Sequence, residues 1–216
     1  MTRTHPAPRT VLLTGFGPFA GAAANPSLQA VRALHGRRIA GHRLVARELP
    51  VEFGESLKRL RAAIREVRPV AVVCVGLAAG RGAVSLERVA INVDDARIPD
   101  NAGRQPIDAA VVEGGPAAYF STLPVKAIHA AIAEAGIPAE VSQTAGTYVC
   151  NHVFYGLMHA LRHRRRVRAG FLHVPPAIED AGQGLPLASI VEALRIAVRV
   201  VLAGSDDARV SAGAID

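Results

Sequence analysis

Short apolar runs alternate with amphipathic stretches along almost the whole chain, and no other feature constrains its fold as strongly. Thr10–Gly15, Arg43–Leu49, Val70–Gly76, Leu86–Val93, Ala139–Gln143 and Ala169–Val174 read as strands. Pro26–His35, Phe53–Glu66, Leu123–Ala135, Val149–Arg162 and Ala188–Leu202 carry helical spacing. Strands separated by helices point to an α/β protein, a three-layer α/β/α sandwich around a largely parallel, twisted sheet. The run Val70-Ala71-Val72-Val73-Cys74-Val75 is apolar at every position, as a strand covered by helices on both faces must be. Asn25 before Pro26 marks one helix start, and Gly36 and Gly136 mark two helix ends. The 216 residues show no repeat or composition shift, so a single domain over 1–216 is expected, with 1–9 and about 204–216 as flexible tails.

In sheets of this kind function gathers in the loops beyond the strand C-termini. Those loops are Phe16–Ala24, Leu77–Ala83, Thr144–Tyr148 and Pro175–Leu187, and the long segment Asp94–Ala118 joins them as a rim or lid, or as plain connection. No run approaches the roughly 20 apolar residues of a membrane span, and the polar start of the chain lacks the apolar core of a signal peptide. A cytoplasmic protein is therefore expected. The formal net charge of +7 invites a nucleic-acid reading, but of 25 basic residues only Lys58 and Lys126 are lysine. The densest stretch, Arg162 to Arg168, falls where a helix should end, and cations are favoured there.

Two cysteines are too few for a disulfide framework, so each should be a free thiol. Cys74, mid-strand among valines, reads as inert core. Cys150 follows the loop Thr144-Ala145-Gly146-Thr147-Tyr148 and precedes Val153, Leu157 and Leu161 at helical spacing, which puts its sulfur in the first turn of a helix. Unpaired amides and the helix dipole favour a thiolate there, and the same amides can hold an oxyanion. A thiolate nucleophile needs a base, normally a histidine oriented by a third group. His152 points to another side of the same helix and His159 lies too far along it. His159 and His163 form an i, i+4 pair with no carboxylate motif, which argues against a metal site. His173 ends an apolar strand immediately before Pro175-Pro176 and is the distinctive candidate. Glu87, Asp94, Asp95 and Asp100 are all candidates for the third group. Glu87 sits in an otherwise buried strand and so needs a partner, either Arg88 or a histidine.

Four ordered blocks resemble the pyroglutamyl peptidase I (pyrrolidone-carboxylate peptidase) family. They are Leu13-Thr14-Gly15-Phe16-Gly17-Pro18-Phe19 with Asn25-Pro26-Ser27, then Glu87-Arg88-Val89-Ala90-Ile91-Asn92 running on to Asp95-Ala96-Arg97-Ile98-Pro99-Asp100-Asn101. The third is Ala145-Gly146-Thr147-Tyr148-Val149-Cys150-Asn151-His152 and the fourth Gly170-Phe171-Leu172-His173-Val174-Pro175. The resemblance runs from Val11 to about Pro175. It implies a cysteine peptidase that removes N-terminal pyroglutamate (5-oxoproline) from peptides through a thiolate–imidazole acyl-enzyme. Cys150 would be the nucleophile, His173 the base and Glu87 the residue that orients it. It also implies a lactam pocket formed by Phe16, Phe19, Ile98 and Val149, no metal or cofactor, and a homotetramer. Asn25 either touches that pocket or only caps its helix, and Arg97 either supports the oxyanion or only pairs with an acid. Gly17, Ala20-Gly21 and Leu77 depart from the family pattern, at positions where members commonly have an acid, two glycines and sometimes glutamine. The Cys150-to-His173 interval is also a residue shorter than in some relatives. A related amide hydrolase acting on another lactam or N-blocked peptide is the nearer alternative, and a basic nucleic-acid-binding protein the distant one.

Overall fold

The computed structural model of the chain describes residues 9–204 and 206–213. Along the chain these form β1 (Thr10–Phe16), α1 (Pro26–Ala33), β2 (Arg38–Ile39), β3 (His42–Leu49), α2 (Glu55–Val67), β4 (Ala71–Leu77), β5 (Val84–Glu87) and β6 (Val89–Ile91). Then come β7 (Ala118–Phe120), α3 (Val125–Glu134), β8 (Ala139–Ser142), α4 (Val149–Leu161), β9 (Arg168–Val174), α5 (Ile178–Ala181) and α6 (Leu187–Ala203). Seven strands make one sheet in the order β2-β3-β1-β4-β9-β5-β8, while β6 and β7 pair separately.

Alternation along the central strands builds the three layers. Leu13 on β1, Val73 and Val75 on β4, and Leu172 and Val174 on β9 join a core with α1, α3 and α6. Leu12, Val72, Cys74 and Phe171 point the other way, into a core with α2 and α4. Each large aliphatic side chain so buried contributes about 1.5–3 kcal/mol before the entropy of ordering it is set against that. Close approach depends on glycine at two places. A Cβ on Gly15 would stand 2.6 Å from the Leu28 backbone of α1, and one on Gly156 would stand 2.3 Å from a Leu57 methyl, where α4 meets α2.

The strands β3, β1, β4 and β9 run parallel to their neighbours, as does β5 with β8. However, β5 is antiparallel to β9 and β2 is antiparallel to β3, so the sheet is mixed. The single strand expected over Leu86–Val93 is two. Arg88 interrupts it, giving its N–H to Ser142 O and accepting from Ser121 N–H, and the chain beyond leaves the sheet as β6. The partner β7 and the short helix α5, in the loop before α6, have no counterpart in the apolar pattern. The segment Asp94–Ala118 is ordered by its own backbone bonds, among them the Asp94–Ala109 bridge and Ala96 N–H to Pro106 O.

The helix ends follow local chemistry. Asn25 Oδ1 accepts from Ser27 N–H at 3.1 Å and caps α1. The start of α3 has no cap of its own. Asp207 supplies one from a distance, with Oδ1 accepting from the amides of Lys126 and Ala127 at 2.9 Å each. Arg162 follows α4 and gives its guanidinium to His159 O at 2.7 Å. Of the tails expected at 1–9 and about 204–216, residues 1–8, 205 and 214–216 lie outside the described residues. No helix among the described residues is long and apolar enough to cross a membrane.

Candidate active site

Register along three adjacent strands assembles the site. On β4 and β9, Cys74 pairs with Phe171 and Gly76 with His173. On β5, running the opposite way, Glu87 pairs with Phe171 and Ser85 with His173. A period of two puts Cys74, Gly76, Phe171, His173 and Glu87 on one face of the sheet. That face is the one covered by α2 and α4, whose second residue is Cys150. Gly76 leaves room for the sulfur: a Cβ there would lie 2.8 Å from Cys150 Sγ. The thiol therefore sits over the β4 residue that pairs with His173.

His173 Nδ1 lies 2.7 Å from Glu87 Oε1. An ionised carboxylate can only accept, so Nδ1 donates in this bond, and in a neutral imidazole with that tautomer the lone pair is on Nε2. Glu87 is wholly buried and His173 nearly so. The Phe171 ring, 4.9 Å from the imidazole between centroids, supports it from the side. Arg81, in the loop after β4, gives Nη1 to the same Glu87 oxygen at 2.6 Å and Nη2 to Thr144 O at 2.9 Å.

Cys150 is half-buried. Burial pushes its thiol up to about 12, the Glu87 carboxylate adds to this, and the Arg81 guanidinium opposes it. The thiolate expected from the helix start is thus opposed by burial and by Glu87, and favoured by Arg81. The amides of Val149, Cys150 and Asn151 precede the first helical bond, His152 N–H to Tyr148 O, so they are free to serve a ligand. Asn151 anchors this first turn. Its Oδ1 accepts from Ile91 N–H at 3.0 Å, and its Nδ2 donates to Ile91 O and Val93 O at 2.9 Å.

Beside the thiol opens a cavity of about 210 Å³ walled by Phe16, Phe19, Val51, Leu77, Tyr148 and Val149, with Cys150 at its edge. Of the residues expected to form a lactam pocket, Phe16, Phe19 and Val149 line this cavity. Asn25 does both things left open for it: it caps α1 and also lines the cavity, with Nδ2 donating to Gly17 O at 3.1 Å. Ile98 and Arg97 are off the cavity wall. Their stretch is fixed to the loop before α4 by Thr147 Oγ1 to Asp95 O and Tyr148 OH to Pro99 O, with Ile98 half-buried and Arg97 exposed.

The other acids are placed as well. Asp94 Oδ2 holds His152 Nδ1 at 2.7 Å, Asp100 accepts from Phe53 N–H at 2.8 Å, and Asp95 is exposed. Glu87 takes a histidine and Arg81 as its partners. Arg81, Val51 and Tyr148 were not singled out from the sequence. A buried carboxylate's need for a cation was the available signal for Arg81, but Arg88 stood nearer in the chain. Among the described residues no three His, Cys, Asp or Glu side chains gather to hold a metal ion.

The family model for pyroglutamyl peptidase matches residues 9–204, nearly the whole chain. The chain belongs to the pyroglutamyl peptidase family. The pyrrolidone-carboxylate peptidase of Erwinia tasmaniensis is 56% identical over 211 residues, 95% of this chain and 99% of that protein. That of Ralstonia nicotianae is 55% identical over 210 residues, 94% of this chain and 98% of its own. Among solved structures, pyroglutamyl peptidase I of Bacillus amyloliquefaciens superposes with a TM-score of 0.90 at 46% identity, covering 93% of this chain and all of that one. The pyrrolidone carboxyl peptidase of Thermococcus litoralis gives 0.90 at 35% identity, over 94% and 99% of the two chains. Family membership accounts for the order of the four sequence blocks, which lie on β1 and its loop, on β5 with the segment after it, at the start of α4, and on β9.

Proposed function

We propose that this pyroglutamyl peptidase family member removes N-terminal pyroglutamate from peptides with Cys150 as nucleophile, His173 as base and Glu87 as the group that orients it. One observation carries the assignment: the thiol sits over Gly76, next to the buried Glu87–His173 pair, at the edge of an apolar cavity.

Burial of the sulfur favours the thiol with its proton in place. As Sγ attacks the carbonyl carbon joining pyroglutamate to the next residue, that proton passes to His173 Nε2. The imidazolium so formed is stabilised by Glu87 at Nδ1. The carbonyl oxygen becomes an oxyanion within reach of the free amides at the start of α4. Collapse breaks the C–N bond, His173 returns the proton to the departing amine, and a thioester remains on Cys150. Water, giving a proton to His173, then adds to the thioester. Its collapse expels Sγ, which takes the proton back, and releases 5-oxoproline.

The cavity explains selection for a lactam. Pyroglutamate is neutral and flat, with apolar ring faces and one N–H and one C=O, and it suits aromatic and aliphatic walls with a few backbone groups. An N-terminal proline has a similar ring but a charged amine, and burying that charge unpaired is costly. Pyroglutamyl amides should therefore exceed prolyl amides in kcat/KM by about 10³-fold or more. Comparable turnover of the two would favour an amide hydrolase of different specificity. The same reading places the enzyme in the cytoplasm as a homotetramer. The exposed Ile107 and Phe120 offer apolar surface for contact between copies, and light scattering on the eluting protein reads the assembly directly.

A further inference from the structure

Arg81 lies outside every expectation drawn from the catalytic triad, yet it is bound to two parts of the site. Its Nη1 donates to Glu87 Oε1, the oxygen that also holds His173, while Oε2 is buried without a partner. Its Nη2 donates to Thr144 O in the loop between β8 and α4, which delivers the nucleophile. That carbonyl also accepts from Ser142 Oγ at 2.9 Å, at the end of β8. The Arg81 side chain is 27% exposed and that of Glu87 0%. A wholly buried carboxylate is costly unless a cation balances it, and the imidazole does so only while protonated. With Oε2 unheld, two donors on Oε1 fix the rotation of the carboxylate.

We propose that Arg81 is a positioning residue for the reaction: one guanidinium holds the Glu87 carboxylate aimed at His173 and clamps the loop that carries Cys150. The proposal rests on the triad reading above and adds to it a fourth group that touches neither substrate nor sulfur. Only a planar fork can serve a carboxylate and a carbonyl on separate nitrogens, so lysine can replace the charge but not both bonds. The direction of its effect on Cys150 agrees, because Arg81 draws the thiol down where Glu87 pushes it up.

The test uses Arg81→Gln and Arg81→Lys, each alone and with Glu87→Gln. The readouts are kcat/KM on a pyroglutamyl amide and the pH midpoint of Cys150 alkylation by iodoacetamide. Cys74 is buried and serves as the unreactive internal control. Arg81→Gln should lower kcat/KM by about 10²-fold, mostly in kcat, and move the alkylation midpoint to higher pH. Arg81→Lys should recover part of both. In the Glu87→Gln background, Arg81→Gln should cost less than about threefold, because residues acting through one another are not additive. A loss under about threefold with an unmoved midpoint would overturn the proposal, as would an equal loss with and without Glu87. If Arg81→Gln does not fold, Arg81→Lys decides by the same criteria. Alkylation needs no substrate, so a wild-type enzyme inert toward pyroglutamyl amides would defeat the peptidase reading while leaving this test readable.

Discussion

A methyl group on Gly76 would stand 2.8 Å from Cys150 Sγ and 2.9 Å from the Phe171 ring, so the smallest possible side chain would push the sulfur out of place. Gly76→Ala should cut kcat/KM by about 10²-fold with little change in KM, since the cavity beside the thiol is walled by other residues. An unchanged kcat would mean that the sulfur has room to spare. Cys74 sits two residues earlier on the same face, wholly buried, and burial pushes its thiol from an ordinary 9.0 up to about 12. Cys74→Ala should leave kcat/KM within about twofold. It should also change the alkaline limb of stability. A thiol whose pKa is raised by folding favours the folded state below about pH 9, and that contribution is lost as pH rises toward 12. Between those limits the wild type should lose up to about 1.4 kcal/mol per pH unit more than Cys74→Ala, read from denaturant midpoints. Equal slopes would place Cys74 in contact with water. At this scale the sequence conveyed that the two cysteines differ in setting, Cys74 mid-strand and wholly buried and Cys150 at a helix start and half-buried. It did not convey the raised thiol of Cys150, which comes from burial by segments far away in the chain.

Among the elements, a buried pair is one of the ties between the segment after β6 and the helical layer. His152 on α4 binds Asp94 at 2.7 Å through Nδ1, and its Nε2 accepts from Gly54 N–H at 2.9 Å, at the start of α2. The two side chains are each 7% exposed. His152→Ala should destabilise the protein by about 1.5–3 kcal/mol, because it leaves the buried Asp94 oxygen and the Gly54 amide without their partner. Asp94→Asn/His152→Ala should cost less than the sum of the single changes, and additivity within error would contradict the pair. Helical and strand periodicity made most elements legible, since each depends on which face is apolar. The break at Arg88 was not, because Val84 to Val93 is apolar enough to read as one strand. Only the pairing of Arg88 with Ser142 and Ser121 sets where it divides. Likewise β5 runs antiparallel to β9 for reasons of topology, and that reversal is what sets Glu87 diagonally opposite His173.

For the molecule as a whole, the sheet order places the ends of β1, β4 and β9 side by side, and these carry Phe16, Gly76 with Leu77, and His173 to one rim. The loop into α4 brings Cys150 to the same place. The class of fold and the order of the family blocks were legible from the sequence. Which side chains would line the cavity was legible only in part. Phe16, Phe19 and Val149 belong to strand and helix ends with fixed directions, whereas Ile98 and Arg97 lie on a segment whose path depends on bonds from Thr147 and Tyr148. The most direct measurement is hydrolysis of a fluorogenic pyroglutamyl amide by wild type and Cys150→Ala, with circular dichroism to establish that both are folded. The account predicts rapid turnover by the wild type, abolished by alkylation, and a Cys150→Ala rate lower by about 10⁴-fold or more. A folded Cys150→Ala variant with wild-type turnover would contradict it.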